Sequence, residues 1–326
     1  MAQTTPTVMR EGFVRRDATR SHLVLEVASE LVGRDEWPYR QAQIKLREQG
    51  AEVWSVCLFG SDGPAVIDQV ARGEVHVAMI NPAGPLALAL RGKGPFRSPI
   101  PLRAITVIPS LDQLAFAVTE RTGLRSLSEI RERRFPLRVS LRGQIDHSVH
   151  LVVNEVLAAA GFSLDDIVSW GGQVRYDTGL PNSPTRIGAV QRGEIDAVFD
   201  EAVRSWMNIA VESGMRVLPL DEPALQRLEE LGFRRGVISK DRFHKLSQDV
   251  LTLDFSGFPV FTHANVPDNI VRSICAALEA RKGNIPWDGN KPLPLESMCR
   301  DTPEGPLNIP LHPAAEQFWR ERGYLP

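Results

Sequence analysis

The stretch QVARGEVHVAMINPAG (residues 69–84) returns 120 residues later as AVQRGEIDAVFDEAV (189–203). Each has a Val, then Arg-Gly-Glu, then a short apolar run ending in polar residues: Asn81 in the first, Asp200 and Glu201 in the second. Gly73 and Gly193 stand where a helix closes on a left-handed residue. The apolar runs after them read as strands buried on both faces of a sheet. Arg and Glu are then solvent-facing turn residues and the repeated letters are scaffold. What differs, Asn81 against Asp200-Glu201, is where a ligand is expected.

Working outward, AEVWSVCLFG (51–60) reads as a strand, and SDGPAVIDQVARG (61–73) as a helix with Ser61 or Asp62 as cap and Pro64 in the first turn. With VHVAMI (75–80) they make a strand–helix–strand unit. Further strands are expected at 22–29, 102–108, 113–120, 137–143, 195–200, 215–221 and 250–264. Helices are expected at 39–50, 126–133, 144–161, 185–193, 202–214, 267–283 and over PALQRLEELG and PAAEQFWRERG. This alternation predicts an α/β fold, each lobe a mostly parallel sheet flanked by helices. Two such sets, 22–110 and 137–221, predict two lobes.

Composition narrows the function. With 38 Lys and Arg against 40 Asp and Glu, the net charge of −2 provides no basic footprint for nucleic acid. Cys57, Cys275 and Cys299 are too scattered for a zinc site or a disulfide framework and read as buried small hydrophobes. No stretch is apolar and long enough to span a membrane. The opening MAQTTPTVMREGFVRRDATR carries charges where a signal peptide needs an apolar core, so the chain as it stands is expected in the cytoplasm, or in the periplasm if a leader precedes it. Walker, Gly-x-Gly-x-x-Gly, Gly-x-Ser-x-Gly and His-Glu-x-x-His motifs do not occur, so neither catalytic residues nor a cofactor or metal is assigned.

Ligands of open α/β sheets collect where strands lead into helix N-termini. The candidates are therefore Ser61 and Asp62 after the first internal strand, Asn81 after the first echo, and Arg142, Gln144, His147 and Ser148 in the loop RGQIDHS. Asp200, Glu201 and Arg204 follow the second echo, where an internal ion pair is an equal alternative. Ser29, Trp37 and Tyr39 would supply a hydroxyl and an aromatic wall. Arg142 is the expected two-pronged anchor for a carboxylate, with Asp200 or Glu201 taking any ammonium.

The order of blocks resembles the TAXI-type solute-binding subunits of TRAP transporters, and more broadly type 2 periplasmic-binding-protein folds. The blocks are FGSDGPAVIDQVARGEVHVAMIN (59–81), QLAFAVTERTGLRSLSEI (113–130), RVSLRGQIDHSVHLVVNEVLAAAGFSLDDI (138–167), GEIDAVFDEAV (193–203), GMRVLPLDEPALQRL (214–228) and the closing PLHPAAEQFWRERGYL (310–325). The resemblance implies two lobes joined by crossing strands, residues 1–112 plus 219–326 and residues 113–218, with hinge closure in the ligand cleft between them on a small organic anion or zwitterion (an amino acid, a dicarboxylate or an aromatic acid) and, for an exported protein, a membrane permease as partner. It also implies solute contacts at Ser29, Tyr39, Ser61, Asp62, Asn81, the 142–148 loop, Asp200 and Glu201. SELVGRDEWPY (29–39) and RGQIDHS (142–148) are more charged than the small-residue loops of that family, which implies a different solute. Cytoplasmic enzymes of this fold, such as dihydroxyphthalate decarboxylases and thiamine-precursor synthases, supply a rival reading as a decarboxylase or hydrolase. A ligand-sensing regulatory subunit is a third.

Overall fold

Helix α1 (Arg16–Val32) occupies the segment whose apolar residues 22–29 suggested a strand. A short apolar run cannot separate the two states by periodicity, and Leu, Glu and Ala in LVLEVASELV favour the helix. The computed structural model describes residues 16–34, 41–47, 55–289 and 291–326. The chain divides into two units, Met1–Arg40 and Gln41–Pro326. In the first, Leu23, Val24 and Val27 of α1 are exposed, as is Ser29. Trp37 and Tyr39 lie outside the described residues.

The second unit holds two five-stranded sheets. The first is built from β1 (Ala42–Arg47), β2 (Ser55–Gly60), β3 (Val77–Met79) and β4 (Leu102–Ile108), with helices α2 (Ala65–Ala71) and α3 (Gly84–Arg91). The second contains β5 (Ala115–Thr119), β6 (Arg138–Arg142), β7 (Gln173–Asp177), β8 (Ala197–Asp200) and β9 (Met215–Val217). Among these strands run α4 (Leu127–Glu132), α5 (Ser148–Ala159), α6 (Leu164–Ser169), α7 (Pro184–Gln191) and α8 (Val203–Glu212). After α9 (Glu222–Leu231), a separate antiparallel pair forms from β10 (Arg235–Ile238) and β11 (Val250–Leu253). The chain then supplies β12 (Phe258–His263), α10 (Asp268–Arg281), α11 (Leu295–Met298) and α12 (Pro313–Glu321).

The spatial orders are β1-β2-β3-β12-β4 and β7-β6-β8-β5-β9. Both sheets are mixed rather than mostly parallel. Among the described strands, β2–β3, β6–β7 and β6–β8 pair in parallel, each pair with at least one helix between its strands in sequence. β12 and β5, which enter after the chain has left the other sheet or the β10–β11 pair, run antiparallel to both neighbours. Of the segment 39–50, expected as a helix, Ala42–Arg47 form edge strand β1, with Gln43 opposite Phe59 and Lys45 opposite Cys57, while 39–40 and 48–50 lie outside the described residues. AQIKLR alternates polar and apolar residues as a strand does, and pairing with β2 decides the matter.

The two echoes build the same turn. Gly73 has φ +71° and Gly193 φ +77°. The amides of Glu74 and Glu194 donate to the carbonyls of Gln69 and Ala189, each at 2.9 Å. Arg72 pairs with Glu74, and Arg192 with Glu194, both at 2.6 Å and both exposed.

One core cluster runs from Ile80 and Leu86 through α5 and α9, at Val152 and Leu225, to Phe116 and Leu141 of the second sheet. A second packs Val271 of α10 and Trp319 of α12 with Ile105 of β4, and a third packs Trp206 of α8 with Val198 of β8. The three cysteines are buried and free. Segments crossing between the sheets are tied to β11: Leu114 N–H donates to Leu253 O at 3.1 Å and Leu220 N–H to Leu251 O at 2.9 Å. Among the described residues, no helix is long and apolar enough to cross a membrane.

Candidate functional site

The carboxyl ends of β6 and β8 lie side by side because these strands pair in parallel, Ser140 opposite Val198. That register brings Arg142 to Asp200. Its Nε and Nη2 donate to Asp200 Oδ1 at 3.2 and 2.9 Å, and Nη2 also pairs with Glu201 Oε1. Asp200 has no exposure, and its other oxygen accepts from Arg186 Nη1 at 2.6 Å. Arg186, equally buried, further donates to Ser140 Oγ at 3.0 Å and to Gly179 O at 3.1 Å. The expected carboxylate anchor is thus occupied by the two acids expected to take an ammonium. The internal ion pair, the alternative left open for Asp200 and Glu201, forms with Arg142 instead of Arg204.

The rest of the RGQIDHS loop shapes this cluster. Gly143 approaches the backbone of Asp177, to whose carbonyl its N–H donates at 2.8 Å. α5 starts at Ser148 rather than at 144, and His147 is its N-cap, Nδ1 accepting from Val149 N–H at 3.1 Å. An accepting Nδ1 leaves the proton on Nε2, which faces Arg142 Nη1 at 3.4 Å. Burial first, and the Arg142 charge second, lower the His147 pKa to about 3. Gln144 lies against the Asp62 carboxyl, which burial pushes above its usual value. Gln144 O also contacts His150 Nε2 at 2.9 Å.

Loop 60–64 meets α5 through its backbone. Ser148 N–H and Oγ–H donate to Asp62 O at 2.8 and 2.7 Å, and a Cβ on Gly63 would stand 2.6 Å from Asp146 O. Neither Ser61 nor Asp62 caps α2, whose N-cap is Pro64. Ser61 Oγ accepts the Gly63 N–H instead, at 3.1 Å. Asn81, at the end of the first echo, donates through Nδ2 to the carbonyls of Phe255 and Gly257 at 3.2 and 2.8 Å.

Beside this cluster opens a cleft of about 510 Å³, lined by Asn81, Asp112, Glu201, Arg204, Phe258 and Asp288 among others. Of the sequence candidates, Asn81, Glu201 and Arg204 share it. Arg142, Gln144, His147, Ser148, Asp200, Ser61 and Asp62 belong to the adjoining ion-pair and loop contacts. Arg204 is exposed and has no ion pair among the described residues. Asp288 accepts from Ser110 Oγ at 2.9 Å.

Two residues of this region were not read from the sequence. Asp112, on a crossing segment, accepts from the amides of Ala202 at 2.7 Å, Val203 at 3.1 Å and Gln113 at 2.8 Å. It caps α8 from outside, because the N-cap position holds Ala202 at φ +56°, with no side-chain oxygen. A helix start without Ser, Thr, Asp or Asn was the available signal. For Arg186 the signal was an arginine on the apolar stripe of α7, with Ala189 and Val190 three and four residues on.

Asp112 and Glu201 line the same cleft and act on each other electrostatically. Burial pushes the Glu201 carboxyl well above its ordinary value; Asp112 and Asp200 push the same way, against Arg142. Burial also raises Asp112, opposed by the three amides that donate to it. Among the described residues, no cluster of His, Cys, Asp or Glu is placed to hold a metal ion.

Residues 59–323 match the model of the NMT1-like family. The chain belongs to the NMT1-like family. No curated protein matches it. Among solved structures it is similar to the alkanesulfonate-binding protein SsuA from Xanthomonas axonopodis pv. citri bound to MOPS, at 14% identity and TM-score 0.29, over 67% of this chain and 78% of that one. It is also similar to the glycine/betaine/L-proline-binding protein ProX from Borrelia burgdorferi, at 8% identity and TM-score 0.37, over 66% of each chain.

Proposed function

We propose that this NMT1-like chain is a solute-binding protein that takes a small zwitterion, of the amino-acid kind, into the cleft beside Glu201. Two lobes with boundaries near residues 112 and 218 close on it. Carrying the reading is the charge distribution of the cleft, where the guanidinium of Arg204 has no ion pair among the described residues while Glu201, Asp112 and Asp288 line the same space. A carboxylate on Arg204 and an ammonium on the acids satisfies both signs. A dicarboxylate would bring two negative charges to a site already lined by three carboxyl groups, so it is the weaker ligand. Arg142, Asp200 and Arg186 act as support that fixes Glu201 on the cleft wall. Closure follows only to the extent that the solute touches both lobes. On this reading the chain is a TAXI-like receptor delivering its solute to a membrane permease, TRAP-type by the resemblance of its blocks.

A thermal-shift screen of amino acids, dicarboxylates and aromatic acids tests the proposal, followed by calorimetry on Arg204→Ala. The expected result is stabilisation by an amino acid recovered chemically unchanged, with affinity reduced at least tenfold by Arg204→Ala, the loss of a charge-assisted contact. Conversion of the compound to product, or a dicarboxylate that binds best and ignores Arg204→Ala, overturns it.

A further inference from the structure

We propose that the outer edge of β9 receives an extended acidic segment of a partner protein as a further strand of the second sheet. The site shares no lining residue with the cleft and does not rest on the solute-binding reading.

β9 ends the order β7-β6-β8-β5-β9, so only one of its edges is paired within the sheet. The register settles which backbone groups are left over. Leu218 N–H donates to Phe116 O at 2.8 Å and Glu120 N–H to Gly214 O at 2.9 Å, so residues 214, 216 and 218 carry the bonds to β5. The N–H and C=O groups of Met215 and Val217 therefore point away from β5. None of these four groups has a hydrogen bond among the described residues, although Met215 is only 2% exposed and Val217 6%. Buried backbone groups are seldom left without a partner, so the edge is incomplete as it stands.

A cavity of about 470 Å³ runs along this edge. Met215, Arg216 and Val217 all line it. Consecutive strand residues face opposite sides of a sheet, so a cavity touching all three lies beside the strand rather than over one face. The segment 245–248, leading into β11, supplies another wall.

Charge selects the occupant. Arg125, Arg216 and Lys245 line the cavity against one acid, Glu120. Arg125 has no ion pair among the described residues, Arg216 reaches Glu120 only at 3.5 Å, and Lys245 meets Glu212 at 2.9 Å. A second copy of the chain, pairing edge to edge about residue 216, would set Arg216 against Arg216, and like charges directly opposite are unfavourable. An extended chain with carboxylate side chains answers both features. Its backbone offers alternating donors and acceptors to Met215 and Val217, and its acids meet the three cations.

An NMR titration of the whole protein with the blocked peptide acetyl-Val-Glu-Val-Glu-Val-amide tests this. The expected result is saturable movement of the Met215 and Val217 amide signals, with affinity falling as salt is raised. Arg125→Ala should weaken binding about threefold. Val217→Pro should weaken it about fivefold, because proline deletes one outward N–H at a free edge and leaves the bonds to β5 in place. If that variant does not fold, N-methylation of the peptide amides removes the same ladder from the other side and should abolish binding. Signals that do not move overturn the proposal, as does equal binding of the Gln-for-Glu peptide or of the N-methylated one. A peptide that binds only with its terminal carboxylate free would make the occupant a free peptide, and dimerisation in sedimentation that Val217→Pro abolishes would make it a second copy; either result overturns the partner segment.

Discussion

The two echoed units are alike where the sequence repeats and unlike one step to either side. Counting from the turn glycines, Val66 and Ile80 of the first unit correspond to Arg186 and Asp200 of the second, seven residues before and after. Val66 and Ile80 are each 1% exposed and lie in the apolar core. Arg186 and Asp200 are each 0% exposed and form an ion pair at 2.6 Å. The next residue pair lines the cleft in both units but differs in kind: Asn81 holds two carbonyls of its own fold, whereas Glu201 carries a charge-bearing carboxyl paired with Arg142. One unit has closed its strand end with hydrocarbon and amide; the other keeps charges there. A buried ion pair seldom stabilises more than packed hydrocarbon does, so its retention points to the site it supports.

The largest effect should come from breaking that pair on one side only. Arg186→Met leaves Asp200 buried with Arg142 as its single cation, and is expected to cost about 3–5 kcal/mol in urea unfolding. The double change Arg186→Val with Asp200→Ile, which copies the first unit, should recover most of that loss while abolishing solute binding. If the double variant is no more stable than Arg186→Met, the two units are not interchangeable scaffolds.

A second difference lies in the loops feeding the helices. The N-cap of α2 is Pro64, without a side-chain bond, whereas that of α5 is His147, neutral down to a pKa of about 3. The ordinary His value of 6.5 applies in the unfolded chain, so below it the unfolded state takes up a proton that the folded state refuses. Stability is present above pH 6.5 and is lost as the pH falls toward 3. Between pH 6.5 and 5 the loss should be about 2 kcal/mol. His147→Asn, which keeps a capping oxygen, should show a shallower acid limb in pH-dependent unfolding; an unchanged limb would assign the acid sensitivity elsewhere.

Asn81 tests the amide side of the comparison. Asn81→Ala strands the carbonyls of Phe255 and Gly257 and should cost about 1–2 kcal/mol by denaturant unfolding. If the unfolding midpoint does not move, those two bonds contribute nothing net and Asn81 is free for a ligand.

These residues also mark how far the sequence could be read. The turn glycines, the buried strands and the long α5 stripe are short-range patterns, and they locate the α/β framework. Segments whose state is set by a distant partner were misread: β1 depends on β2, and among the described residues 22–29 has no pairing strand to make it one. The same divide runs through the site. Arg142, Asp200 and Glu201 were legible as candidates because they end strands, yet their mutual pairing depends on the β6–β8 register, which no local pattern encodes. Asp112 sits 90 residues from the helix it caps, and only the empty cap position at Ala202 hinted at it.

The smallest effect concerns the repeated letters themselves. Arg72→Ala and Arg192→Ala should leave the melting temperature unchanged, since both pairs are exposed and solvent screens them. Gly73→Ala and Gly193→Ala should each cost about 1 kcal/mol, the penalty for a Cβ in the left-handed region. They will not cost quite the same. A Cβ at Gly73 meets nothing within 4 Å, but at Gly193 it would lie 2.9 Å from Arg121 Nη1, which must move. Arg121 also bonds Ile195 O at 2.8 Å and Asp196 at 3.0 Å, so moving it loosens the start of β8. The Gly193 variant should therefore melt slightly lower than the Gly73 variant. Equal melting points would mean that Arg121 is free to move, and that the two turns differ in sequence alone.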